Sequence, residues 1–190
     1  RVRTYHYKGE VVNTPSFELE LKEELPLDVT DSEEEISIKS GELTLVITKK
    51  SWSMTYYRNG EMITRSAGRD LALMKTDFKG FAYNDTDAEE TYMRQMLSLS
   101  VGELVYGTGE RFTPFVKNGQ SIDIWNADGG TSTEQSYKNI PFFITNKGYG
   151  VLVNHPEKVS IEVATEMVTR TEFSVPGGYL DYFLINGPTM

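Results

Sequence analysis

Apolar and polar positions alternate along most of this chain. Leu43, Leu45 and Ile47 are interleaved with Thr44, Val46 and Thr48, and Val159, Ile161 and Val163 with Ser160 and Glu162. Met93, Leu97 and Leu99 fall on one side of residues 91–99, with Gln95 the exception, and Phe173 and Val175 share another face. A period of two over such spans predicts half-buried strands. The turn chemistry agrees. Arg58-Asn59-Gly60-Glu61 divides Met54-Thr55-Tyr56-Tyr57 from Met62-Ile63-Thr64 and predicts a two-residue hairpin. Asn146-Lys147-Gly148 separates Phe142 to Thr145 from Gly150 to Val153, and Pro176-Gly177-Gly178 precedes Tyr179 to Ile185. No segment keeps an i, i+3, i+4, i+7 pattern for three turns, so helix should be scarce. Short strands with a turn every ~8–12 residues predict an all-β sandwich or barrel. Two acidic stretches, 23–35 and 85–90, interrupt the strands and read as solvated loops.

Composition narrows the class. At 190 residues, with 38% hydrophobic and 12% aromatic residues, the chain can build one good core and is not mainly disordered. A formal net charge of −9 repels phosphate backbones and anionic lipid, so neither nucleic acid nor a membrane surface is an expected partner. The uncharged runs fall short of the roughly 20 apolar residues of a spanning helix. Cysteine is absent, which excludes disulfides, thiol catalysis and thiolate zinc sites, and leans toward a reducing, cytoplasmic compartment. The chain opens on Arg1 without a leader and ends in a strand running into a turn. We therefore expect an excised piece of a longer protein, a single domain over 1–190 with a ragged start near 1–16.

Few residues offer chemistry. Gly107-Thr108-Gly109-Glu110 lacks the third glycine or Lys-Ser/Thr pair of a phosphate cradle, since Phe112 stands in the third-glycine place; it reads as a tight turn after a strand. Asn126-Ala127-Asp128-Gly129 fails as a calcium loop because Ile124 and Gln135 occupy its first and twelfth positions. No metal site and no cofactor are expected. Of the two histidines, His6 lies near the start, and His155 at a strand end reads as a hydrogen-bonded structural residue. No Gly-x-Ser-x-Gly elbow exists, and Asn84-Asp85-Thr86 reads as a chance sequon. Trp125-Asn126-Ala127-Asp128-Gly129-Gly130-Thr131-Ser132-Thr133-Glu134-Gln135 is the richest segment. An indole for stacking, small residues and hydroxyl or carboxylate groups suit a sugar. The alternative is a Gly-rich loop with Trp125 in the core.

Four ordered blocks carry a resemblance. They are Val105-Tyr106-Gly107-Thr108-Gly109-Glu110-Arg111-Phe112, the Trp125 to Gln135 segment, Tyr137-Lys138-Asn139-Ile140-Pro141-Phe142, and residues 148–156 from Gly148 to Pro156. Together they resemble the amino-terminal domain of glycoside hydrolase family 31, on the bacterial α-xylosidase side. The likeness is dense from 93 to 190 and thin before, and Thr108 departs from an expected Leu in what reads as a turn. It implies a galactose-mutarotase-like β-sandwich (a supersandwich) beside a (β/α)8 barrel that would follow residue 190. In that family two barrel Asp residues, about 5–5.5 Å apart, act as nucleophile and general acid. No catalytic residue is therefore expected in this chain, which should be inactive alone. Lys75-Thr76-Asp77-Phe78 resembles the family's nucleophile strand but continues Lys79-Gly80 rather than Gly-Glu, so Asp77 is a coincidence. The resemblance implies a non-catalytic domain of a retaining α-glycosidase, an α-xylosidase or α-glucosidase. Asp128, Gly129, Gly130, Thr131, Ser132 and Trp125 would meet the leaving-group sugar of an α-linked xyloside or glucoside oligosaccharide. Its other partner would be its own barrel, against which an apolar face should lie bare. A homo-oligomeric parent stays open. An independent carbohydrate-binding or interaction sandwich is the alternative; an aldose mutarotase would need His and Glu facing one sugar in a cleft.

Overall fold

The computed structural model describes residues 1–6, 16–20, 25–76, 90–127, 133–187 and 189–190. Asp77, the Asn84 sequon, and Asp128, Gly129, Gly130, Thr131 and Ser132 of the sugar-loop expectation lie outside them. The described residues form an all-β fold of three five-stranded antiparallel sheets, as the period of two predicts. The first sheet runs β1 (Val2–Tyr5), β15 (Tyr179–Asn186), β12 (Tyr149–Val153), β11 (Lys138–Thr145), β9 (Val105–Glu110). The second runs β10 (Gln120–Ile124), β13 (Val159–Val163), β14 (Arg170–Pro176), β8 (Glu90–Ser98), β7 (Leu71–Thr76). The third is a meander of β2 (Asp28–Asp31), β3 (Glu35–Ser40), β4 (Leu43–Thr48), β5 (Ser53–Arg58) and β6 (Glu61–Ala67). The described helix is one 3-10 turn, Gly68–Asp70, and no described helix is long and apolar enough to cross a membrane.

The core lies between the first two sheets. Phe173 of β14 meets Tyr182 of β15 edge-on at 5.1 Å and Phe143 of β11 at 6.4 Å. Val151, Val153, Val159, Ile161, Val163 and Val175 are fully buried around them. Aromatic pairs of this geometry add to area burial, which dominates the stability. The third sheet adds Met54, Tyr56 and Ile63 to the same core and joins through polar contacts as well: Tyr56 and Tyr182 hydroxyls lie 3.4 Å apart, and Thr64 Oγ1 donates to the Ser98 carbonyl at 3.0 Å. Gln95, the polar exception in β8, is buried and donates from Nε2 to Ser66 Oγ at 2.6 Å and to the Met96 carbonyl at 2.8 Å. Arg58, just before the Asn59-Gly60 turn, donates to the carbonyls of Lys147 and Gly187 and ties this sheet to the first. Asn59 and Gly60 take positive φ, as the predicted hairpin requires. The Pro176-Gly177-Gly178 turn instead carries the chain from the second sheet to the first.

Two expectations are corrected. The acidic stretch 23–35, read as a solvated loop, carries β2 at Asp28–Asp31, which is exposed yet paired with β3. Gly107-Thr108-Gly109 is no turn after a strand; it lies inside β9, with φ of +108°, +69° and +91°. The cause is the partner strand, which carries a bulge between Asn139 and Phe143. A Cβ at Gly107 would come 2.8 Å from the Phe142 carbonyl oxygen. One at Gly109 would come 2.9 Å from the Ile140 nitrogen and collide with the Lys138 carbonyl. Thr108, also left-handed, is buried and turns its hydroxyl onto the Gly107 carbonyl at 2.6 Å.

Three titratable groups, His155, Asp181 and Glu172, are buried at the sheets. His155, following β12, accepts the Asp181 backbone N–H at Nε2 (3.0 Å), so its proton sits on Nδ1, which donates to Glu157 at 3.2 Å. Burial holds its pKa below the ordinary 6.5 despite Glu157. This is the structural role expected for a strand-end histidine. Asp181, fully buried, is bound by Arg1 at 2.5 Å and by Asn154 Nδ2 at 2.9 Å, with Arg1 leading β1 onto β15. On the second sheet Glu172 faces Glu162 across the strand pair. Burial pushes it up to about 7, with Arg94 opposing and Glu162 and Glu166 adding to the rise.

Gly109→Ala should cost about 2–4 kcal/mol in chemical denaturation, because strain and clash combine. Gly119→Ala, at φ +84° with open space around it, should cost only about 1 kcal/mol. The titrating pair should act with opposite sign. His155 stability is lost as pH falls from 6.5 through its lower folded value, while Glu172 stability is lost as pH rises from 4.5 to about 7. Melting curves should therefore show Glu172→Gln gaining on the wild type across that second interval. A constant difference would contradict the assignment.

Candidate functional site

The segment from Trp125 leaves β10 and returns to β11, and its two arms are held together at the root. Asn126 and Ser136 form a bridge, and the Ala127 N–H donates to the Ser136 carbonyl at 3.0 Å. Asn139, at the bulge of β11, completes the closure. Its backbone N–H donates to Asn126 Oδ1 at 2.8 Å, and its Nδ2 donates to the carbonyls of Trp125 at 2.9 Å and Ser136 at 2.8 Å. Short polar side chains that bond nearby backbone are the usual means of fixing an irregular segment.

Arg111, just beyond β9, reaches both arms. Its Nη2 donates to the Asp123 carbonyl before the loop and to Asn139 Oδ1, and its Nη1 donates to the Glu134 carbonyl on the returning arm at 3.1 Å. Nε lies 3.4 Å from the Thr108 carbonyl. These described acceptors are all amide oxygens. Burial lowers the Arg111 pKa, with Asp123 and Glu134 opposing, yet a guanidinium stays charged at any working pH.

Trp125 is 58% exposed, so it is not a core residue; the core alternative is overturned. Its ring borders a cavity of about 280 Å³ together with Phe17, Asn126, His155 and Glu157. Phe112, Phe115, Tyr137 and Ile140 are exposed as well, and Phe112 and Tyr137 flank a second hollow beside Arg111. Of the six predicted sugar-contacting residues, then, Trp125 is placed at an open cavity beside the clamped root. Asp128, Gly129, Gly130, Thr131 and Ser132 lie outside the described residues. Both ring nitrogens of His155 are engaged, and no three His, Asp or Glu side chains converge as a metal site among the described residues. The clamp residues Arg111 and Asn139 were not among the predicted site residues, although both lie in the motif blocks.

Comparison with known proteins bears on the fold that carries this segment. The family described as Glycosyl hydrolase 31 N-terminal galactose mutarotase-like domain matches residues 1–162. Alpha-xylosidase XylQ of Lactiplantibacillus pentosus is 41% identical over 177 residues, covering 92% of this chain and 22% of that protein. An alpha-xylosidase of Emericella nidulans is 62% identical over 96 residues, covering 50% of this chain and 12% of that protein. The chain thus spans about a fifth or less of these relatives' length. Among solved structures, the cycloalternan-forming enzyme of Listeria monocytogenes in complex with a pentasaccharide substrate superposes with a TM-score of 0.72 at 21% identity, covering 85% of this chain and 16% of that one. With three sheets of the expected kind and a match over most of its length, this chain belongs to the glycosyl hydrolase 31 N-terminal galactose mutarotase-like domain family.

Proposed function

We propose that this domain works within a retaining α-glycosidase, an α-xylosidase in the first instance, as the non-catalytic sandwich beside the (β/α)8 barrel. It supplies positioning rather than bond cleavage: the 125–135 segment leans over the barrel mouth and receives the leaving-group sugar. The supporting observation is the combination of a clamped loop root with a Trp125 ring left open at a cavity. A fixed root lets a loop meet ligand without a large ordering cost. The exposed Phe112, Phe115, Tyr137 and Ile140 are the apolar face we assign to the barrel. The named relatives are both α-xylosidases, which favours an α-xyloside over an α-glucoside as substrate. A bacterial cytoplasmic location fits the absence of cysteine.

Asp128 is the residue we assign to the sugar hydroxyls. It is followed by Gly129 and Gly130, which allow backbone to approach a ligand closely. A carboxylate accepts from two vicinal hydroxyls at once, and such charged hydrogen bonds are worth about 1.5–3 kcal/mol. In the full-length enzyme Asp128→Ala should lower kcat/KM on α-xylosyl disaccharides by about one to two orders of magnitude. Aryl xylosides lack those hydroxyls and should suffer less. Equal losses on both substrates with a lowered melting temperature would contradict the assignment. Tight binding of oligosaccharide by the 190-residue chain alone would instead support an independent carbohydrate-binding sandwich.

A further inference from the structure

From the clamp geometry we infer that Arg111 is a positioning residue for leaving-group recognition, acting on the sugar through the 125–135 loop without touching it. This rests on the proposed role of that loop. The loop follows β10 and returns through Glu134, and two described side chains bond backbone on both arms: Asn139 donates to the carbonyls of Trp125 and Ser136, and Arg111 to those of Asp123 and Glu134. Through Asn139 Oδ1 it also fixes the residue that ties Trp125, Asn126 and Ser136 together. The third support is its own strand, through Thr108.

The chemistry of the side chain explains why it is arginine. A guanidinium carries five N–H groups in a rigid plane, so separate nitrogens reach acceptors on different chain segments at once. Lysine gathers its three N–H groups on one atom and cannot span the two arms. Among the described residues its hydrogen-bond acceptors are amide oxygens, whose bonds to a charged donor are stronger than neutral ones. Displacing a recognition loop by about 1 Å can cost on the order of a hundredfold in rate. Arg111 therefore sets substrate preference from a distance.

Two measurements test this. Amide hydrogen exchange on the 190-residue chain compares wild type with Arg111→Lys and Arg111→Met. Both variants should speed exchange at Ala127 and Asn139, whose N–H groups close the root, by about tenfold, while Val151 and Ile161 in the core stay protected. In the full-length enzyme both should lower kcat/KM on α-xylosyl disaccharides by about tenfold, mainly through KM, and leave aryl xylosides within about twofold. Unchanged exchange at Ala127 overturns the inference. So does faster exchange throughout the core with equal losses on the two substrates, which marks a folding role only. A substrate bias in Asp128→Ala with none in Arg111→Lys overturns the inference and leaves the loop's proposed role intact. The absence of bias in Asp128→Ala overturns that role itself, whatever exchange shows at Ala127.

Discussion

No side chain fits at Gly109, and much of the functional end of the domain depends on that constraint. The missing Cβ lets β9 lie against the bulge of β11 at a distance no other residue permits. The approach brings the end of β9 beside the start of β11, where Arg111 and Asn139 meet. From there one guanidinium and one carboxamide gather the carbonyls on both sides of the 125–135 segment. The strain of three successive left-handed residues is held in place by the surrounding sheet, as strained backbone near functional sites generally is.

Strands were the most legible feature of the chain, because one buried face writes a period of two into the residues. Val159, Ile161 and Val163 are fully buried where their alternation predicts, and Asn59-Gly60 makes its turn. Long-range pairing was not legible. β1 joins β15 from the opposite end of the chain, a contact that no local pattern records. Gln95, the exception to the alternation in its strand, is a buried donor to a neighbouring sheet. Gly107-Thr108-Gly109 failed as a turn because its cause lies in the bulged partner strand, beyond any window of nearby residues. At the site, Trp125 was legible as a ring beside small and polar residues. Arg111 was not, since its acceptors are backbone carbonyls and one distant carboxamide, which leave no mark on composition.

The polar groups divide between architecture and recognition. His155, Asn154 and Asp181 fasten the first sheet and its terminal strand, and both histidine nitrogens are consumed in doing so. Arg111 and Asn139 do the same work for the loop root. Exposed aromatic residues stand beside them: Trp125 at the cavity, with Phe112, Phe115 and Tyr137 nearby. Clusters of exposed aromatic residues mark surfaces that meet another partner. A domain built this way holds surfaces in place, as the proposed supporting role requires.

A crystal structure of the full-length enzyme with an unhydrolysed α-xylosyl disaccharide would test the central claim most directly. The account predicts an Asp128 carboxylate oxygen within about 2.6–3.2 Å of a leaving-group hydroxyl, with Phe112 and Tyr137 covered by the barrel. A loop turned to solvent, with the leaving-group sugar held by barrel residues alone, would contradict it.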